Sequence, residues 1–271
     1  MKNIFLFIFL AFTNYAVSQD IISKTKTPRK YVLKVSQFDQ FIRRFNYDED
    51  VFGNPMSESF SKKVSRNEYI DMLFDQKDNR LINNDKVYSE LKNEFVNKVV
   101  SNNYRINRLS DSLFGVACCE INYNNKTKII KLIMKQEKSH KGICWVIYDV
   151  LADFIYDKDN VDDGGLMFIP PTSNEVNYIH LKRVLNNKDS IANYAYKDYK
   201  CNRLSIFFHL IYTNEIEYKH VLSLQYYIFD IPGYLIQVKE FNRDDDNSGW
   251  LIENVVKFNG KPEEYIKKMK Y

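Results

Sequence analysis

Asp149 follows Trp145 by four residues in KGICWVIYDV, and Asn254 follows Trp250 by four in NSGWLIENVV. A carboxyl group buried beside an indole has its pKa raised toward neutrality, which is what a general base requires. Read as strands, the two stretches place Trp145, Ile147 and Asp149 on one face and Trp250, Ile252 and Asn254 on the corresponding face. On the concave side of a sheet, each set would supply one large ring and one polar group, the mix found in small-ligand pockets. Asp149 is then the candidate base of an isomerase- or hydrolase-like reaction, and Trp145, Asp149, Trp250 and Asn254 are candidate ligand contacts. The stretch SLQYYIFDIPGY adds Tyr226 and Tyr227, rings able to stack on a sugar or meet a partner. The plainer reading is favoured: the rings fill a core and Asp149 and Asn254 end strands, since no histidine or second carboxylate falls on an obvious neighbour.

Other chemistry is sparse. His140, His180, His209 and His220 show no metal-ligand spacing, and no nucleophile elbow, phosphate loop or CxxC pair is present. No metal or cofactor is expected. Two acidic turns, DKDNVDDGG from Asp157 and DDDNSG from Asp244, invite a calcium reading. The second opens like an EF-hand loop but has Val255 where a bidentate glutamate is needed, so a hairpin turn is the better reading.

The 39 basic and 35 acidic residues are interspersed and nearly cancel, which excludes the basic footprint of a nucleic-acid binder. Aromatic residues make up 15% of the chain while Gly and Pro are scarce, so packed structure is expected over disorder. The opening MKNIFLFIFLAFTNYAVSQD reads as a secretory signal peptide: one early lysine, an apolar run from Ile4 to Phe12, and a small-residue exit at Ala16 to Ser18. The run is shorter than the roughly 20 residues of a bilayer-crossing helix. Cleavage near Ser18 would give an exported periplasmic or extracellular protein with no membrane span in its mature form. Cys118 and Cys119 are neighbours on one expected strand and point to opposite faces. A bond from either to Cys144 would have to cross an intervening strand, about 9.6 Å, so reduced cysteines are expected.

Elements that could position these groups follow one order twice. Phe38, Phe41, Ile42 and Phe45 recur at helical spacing from Val35, with Ser36 and Asp39 in capping-box register. Ser65 and Glu68 form a second box, and Asp85 caps a third helix carrying Val87, Leu91, Phe95 and Val99. GVACCEINY, KIIKLIMKQ and GICWVIYDV then alternate with period two, a three-stranded antiparallel meander. After the turn-rich YDKDNVDDGGLMFIPPTSNE, helices are expected from Asn174, near SIANYAY and through Leu204 to Ile211. The strands HVLSLQYYIF, YLIQVKEF and GWLIENVVKF follow them, and KPEEYIKKMKY closes the chain as a helix. Trp145 to Val150 thus aligns with Trp250 to Val255 as third strand on third strand, the mark of a duplicated unit.

The helical opening FDQFIRRFN, two further helices and a sheet ending in WVIYDV resemble the nuclear-transport-factor-two-like superfamily, the cone-shaped, cystatin-like α+β fold, and in particular its exported members from Bacteroides-type bacteria. The resemblance runs from about Val35 to Phe258 and implies two cones in tandem. That family holds isomerases, dehydratases and members that only bind, so it implies a pocket more than a reaction. The expected architecture is α+β: signal peptide 1–18, polar leader 19–34, first cone-like half 35–156, linker 157–172, second half 173–258 and C-terminal helix 259–271. Each half has about three helices on a curved meander, and sheet-to-sheet packing is one way to join them. The expected role is non-catalytic binding of a small molecule, glycan fragment or partner protein, in a cone or between the halves. A homodimer is compatible with this. The alternatives are catalysis by Asp149, or an interaction protein whose sheet faces are consumed in joining the halves.

Overall fold

All six alternating segments form strands, and they join one sheet. The structure, a computed structural model, describes residues 33–140, 142–155, 180–186, 203–245 and 247–269. In chain order these contain β1 (Leu33–Val35), α1 (Phe38–Phe45), α2 (Glu58–Ser61), α3 (Arg66–Met72), α4 (Asn79–Ile82), α5 (Lys86–Ser101), β2 (Leu113–Tyr123), β3 (Lys126–Ser139) and β4 (Gly142–Leu151). They continue with α6 (His180–Asn186), α7 (Arg203–Tyr212), β5 (Ile216–Ile228), β6 (Tyr234–Phe241), β7 (Asn247–Lys257) and α8 (Pro262–Lys268). The fold is mixed α+β. The expected linker 157–172 and the SIANYAY helix lie outside the described residues.

The strand order is β1-β7-β6-β5-β2-β3-β4. The two meanders therefore meet edge to edge, through antiparallel pairing of β2 with β5 from Leu113↔Ile228 to Tyr123↔Ile216, and not sheet to sheet. Outward from that seam, β3 and then β4 on one side match β6 and then β7 on the other. The β2–β3 hairpin turn has a local cause. Asn124 and Asn125, at φ 49° and 61°, turn β2 into β3 in the left-handed region that asparagine tolerates best after glycine. β6 and β7 pair as a hairpin out to Phe241↔Gly249, so that of DDDNSG the last three residues, Asn247 to Gly249, already belong to β7.

The third strands carry the same irregularity. In β4, Met134 pairs with Ile147 and Ile133 with Asp149, so Tyr148 is an extra residue. In β7, Val238 pairs with Ile252 and Gln237 with Asn254, so Glu253 is extra. A bulge of this kind shifts the alternation by one residue. Trp145 and Ile147 share one face with Tyr226, Trp250 and Ile252, whereas Asp149 and Asn254 fall on the opposite face with Ile133 and Gln237. The expectation that Asp149 and Asn254 share a face with the tryptophans is corrected by these bulges, which stand three residues past the tryptophan in both strands.

Leu33–Val35, assigned from the sequence to the polar leader and the start of a helix, is instead a parallel edge strand on β7, with Val35 opposite Gly249. Gly249 has φ 86°, and a Cβ there would lie 1.9 Å from the Val35 carbonyl oxygen. Only glycine admits this approach. α1 therefore starts at Phe38, its N-cap is Gln37, and the Ser36–Asp39 box does not form. The Ser65–Glu68 box does form, in both directions, and Asp85 caps α5 through the N–H groups of Val87 and Tyr88. On α5 the buried face is Tyr88, Lys92, Phe95, Val96 and Val99, while Val87 is exposed. α8 covers part of the face opposite the tryptophans, with Ile266 against Phe114, Ile133, Tyr148 and Leu235. Cys118, Cys119 and Cys144 are free thiols, and β3 separates β2 from β4 as expected.

Candidate functional site

Three of the four ring residues singled out from sequence, Trp145, Tyr226 and Trp250, come together, but inside the core. Tyr226 of β5 lies between the two tryptophans, 6.1 Å from Trp145 and 5.2 Å from Trp250 between ring centroids. Trp145 is 4%, Tyr226 2% and Trp250 0% exposed, so no open pocket is lined by these rings among the described residues. Phe38, the first residue of α1, stacks on Tyr226 at 3.6 Å and meets Trp250 at 5.7 Å. Such pairs are worth about 0.5–1.5 kcal/mol each beyond their buried area. The cluster's role is thus to seat α1 on the sheet.

The other candidates lie elsewhere. Tyr227 is buried on the opposite face, 6.3 Å from Tyr265 of α8, and burial pushes its phenol up to about 12. The Asp149 carboxylate accepts from the Val150 N–H at 2.7 Å and forms an ion pair with Arg203, the first residue of α7. In the other meander the matching position has the matching contact: Arg80 of α4 donates to Asn254 Oδ1 at 2.9 Å and to the Glu253 carbonyl at 3.0 Å. Each bulge is therefore held by an arginine from a helical segment. Among the described residues, no three His, Cys, Asp or Glu side chains are grouped to hold a metal ion. No helix among them is long and apolar enough to cross a membrane.

Seating α1 creates a different site. Phe38, Phe41, Ile42 and Phe45 face inward, which turns Asp39 and Arg43 outward. Arg44, buried at the end of the helix, donates to Glu49 Oε1 at 3.2 Å, to the Lys34 carbonyl at 2.9 Å and to the Val51 carbonyl at 3.3 Å. It ties α1 to β1 and to the following loop. Asn46 exchanges two hydrogen bonds with the Ile106 backbone, at 2.9 and 2.8 Å, and Gln136 holds the Arg108 carbonyl at 3.0 Å. These bonds bring residues 105–108 alongside α1.

Between the two segments lies an open depression of about 560 Å³ lined by Asp39, Ile42, Arg43, Asn46 and residues 105–108. Three guanidinium groups border it. Arg43 donates to Glu49 at 2.7 Å and also pairs with Asp39, Arg108 reaches Asp39 at 2.8 Å, and Arg105 donates to Asp48 at 2.5 Å and to the Asn46 carbonyl at 3.0 Å. Burial alone would lower the Arg43 pKa. The hydrogen bond and charge of Glu49, then those of Asp39, outweigh burial and raise it. The arrangement supplies fixed N–H donors from Arg43, Arg105 and Arg108, with Asp39 as the lining carboxylate. FIRRFN contains Arg43 and Arg44, but Arg105 and Arg108 are about 60 residues away, joined to α1 and its C-terminal end by the Asn46–Ile106 exchange and by their own bonds to Asp39, Asn46 and Asp48. The one local signal was an arginine pair closing an amphipathic helix whose first turn is acidic.

Comparison of the chain with protein-family models, curated proteins and solved structures gives no match.

Proposed function

We propose that this is an exported, non-catalytic binding protein that holds a small molecule or glycan fragment in the depression between α1 and residues 105–108. The observation that carries this reading is the set of three arginines, each oriented by a carboxylate, around a cavity large enough for a small ligand. The aromatic cluster lies behind it as scaffold: Phe38 on Tyr226 positions the helix that carries Asp39 and Arg43. We further propose that the chain is two cone-like halves of one duplicated unit, in the manner of the nuclear-transport-factor-two-like fold, following a signal peptide that ends near Ser18. Support for duplication comes from the matched strand order on either side of the β2–β5 seam and from the bulge shared by β4 and β7. Engagement of Asp149 by Arg203 favours a positioning role for that carboxylate over proton transfer.

A thermal-shift screen of the mature chain against metabolites and oligosaccharides tests the binding reading. Ligands that raise Tm should lose that effect in Arg105→Gln and Arg108→Gln, both checked for folding by circular dichroism. A screen with no stabilising ligand, or with ligands indifferent to both substitutions, would refute it.

A further inference from the structure

The acceptors and donors around the depression do not balance, and the imbalance identifies a ligand class. Asp39 already receives Arg43 and Arg108, and Glu49, whose side chain is only 6% exposed, receives Arg43 and Arg44. The Asn46 side-chain oxygen takes the Ile106 N–H and its backbone carbonyl takes Arg105, while the Asn107 side-chain oxygen takes the Leu109 N–H. The one peptide N–H of Asn107 is itself consumed by Asp230 at 2.7 Å. Each of these acceptors is engaged by the protein, and the capacity that the Asp39 carboxylate keeps beyond its two contacts is small beside that of three guanidinium groups. The donors are not exhausted. A guanidinium carries five N–H groups, and the contacts above use two nitrogens of Arg43, two of Arg105 and one of Arg108. These three side chains remain 45%, 47% and 40% exposed, against 24% for Asp39; Asp48, 44% exposed, pairs with Arg105 but does not line the depression.

A ligand entering this depression meets a surplus of fixed, charged donors and few open acceptors. A neutral sugar hydroxyl must donate as well as accept, and finds little to donate to. A group with acceptors only is the complement, and planar guanidinium forks match carboxylate, phosphate or sulfate oxygens bidentately. The paired carboxylates hold the arginines in place before binding, which lowers the entropy cost of ordering three long side chains. We infer that the ligand bears an oxyanion: a sugar acid, a phosphorylated or sulfated sugar, or a comparable small anionic molecule. This rests on the binding reading above and narrows it.

The test is calorimetric titration of the mature chain with matched probes: glucose against glucuronate, glucose against glucose 6-phosphate, and inorganic phosphate and sulfate alone. At low salt the anionic member of each sugar pair should bind at least about tenfold more tightly than glucose, and Arg108→Gln or Arg105→Gln should each remove about tenfold. Arg108→Lys, which keeps the charge but not the fork, should recover part of the loss, and added sodium chloride should weaken every anionic probe. Binding of inorganic phosphate and sulfate alone would assign recognition to the oxyanion itself, and binding only of the sugar forms would assign it to the oxyanion with its sugar. Glucose binding as tightly as its anionic forms, with loss in Arg108→Gln, would overturn the oxyanion inference and leave the binding function standing. Absence of binding by every anionic probe would also overturn it. The library screen separately decides whether the depression binds anything.

Discussion

Asp149→Ala should destabilise the fold. The Asp149 and Arg203 side chains are 9% and 18% exposed, so neither charge is solvated well enough to lose its partner without cost. Removing one member of a buried pair costs about 3–5 kcal/mol, and the partial access of Arg203 places this pair near the lower end, about 3 kcal/mol. For a chain of this size 1 kcal/mol corresponds to about 2–4 °C in melting temperature, so Asp149→Ala should melt about 6–12 °C below the wild type. Asp149→Asn copies the contact in the other meander, where Arg80 donates to the Asn254 side-chain oxygen, and should lose about 1 kcal/mol. Thermal unfolding followed by circular dichroism measures both, and a cycle with Arg203→Met isolates the pair. Its coupling should be about 1.5–2 kcal/mol, with the double variant less destabilised than the sum of the single ones. The reasoning fails if Asp149→Ala melts within about 1 °C of wild type, or if the cycle is additive. A stable Asp149→Asn variant that abolished a measurable turnover would revive the general-base alternative.

Three more outcomes follow from other parts of the fold. Gly249→Ala forces a residue at positive φ into the Val35 backbone and should lower stability by at least about 2 kcal/mol, with faster amide exchange at residues 33–35; unchanged exchange there would contradict the β1 assignment. Cys119 is buried and burial pushes its thiol pKa up, whereas Cys118 is half-exposed on the other face. In native protein, tandem mass spectrometry should find alkylation at Cys118 and none at Cys119, and early modification of Cys119 would refute its placement. Burial raises the Asp230 carboxyl, only partly opposed by its bonds from Ser110 and the Asn107 N–H. The native state then holds this proton to higher pH than the unfolded state does. Its contribution to stability falls as pH rises from the free-carboxyl value of about 4 through the raised native value. The melting temperature of Asp230→Asn minus that of wild type should become more positive across that window, and a flat difference would contradict the assignment.

The local features were legible because each has a local cause. Alternation located β2 to β7 to within a few residues, and the Ser65–Glu68 box and the Asp85 cap emerged as read. The matched tryptophans proved to be core rings, joined through Tyr226. What was not legible depends on distant partners. β1 is three residues long with no period of its own, and it exists because Gly249, more than 200 residues later, admits its backbone. The bulges at Tyr148 and Glu253 add a residue without altering composition, so period-two counting sent Asp149 and Asn254 to the wrong face. Edge pairing of β2 with β5 is a choice among strands of similar pattern. The depression unites α1 with residues 105–108 through an asparagine that resembles any other helix-terminal asparagine in the sequence.

The central claim is that ligand is held between α1 and residues 105–108 while Trp145 and Trp250 stay sealed behind it. An amide chemical-shift map of the mature protein, recorded during titration with glucuronate and with a ligand from the screen, tests this most directly. The account predicts saturable shifts concentrated at residues 39–46 and 105–108, absent in Arg108→Gln. Shifts centred on Asp149 and Arg203, or no shifts at all, would contradict it.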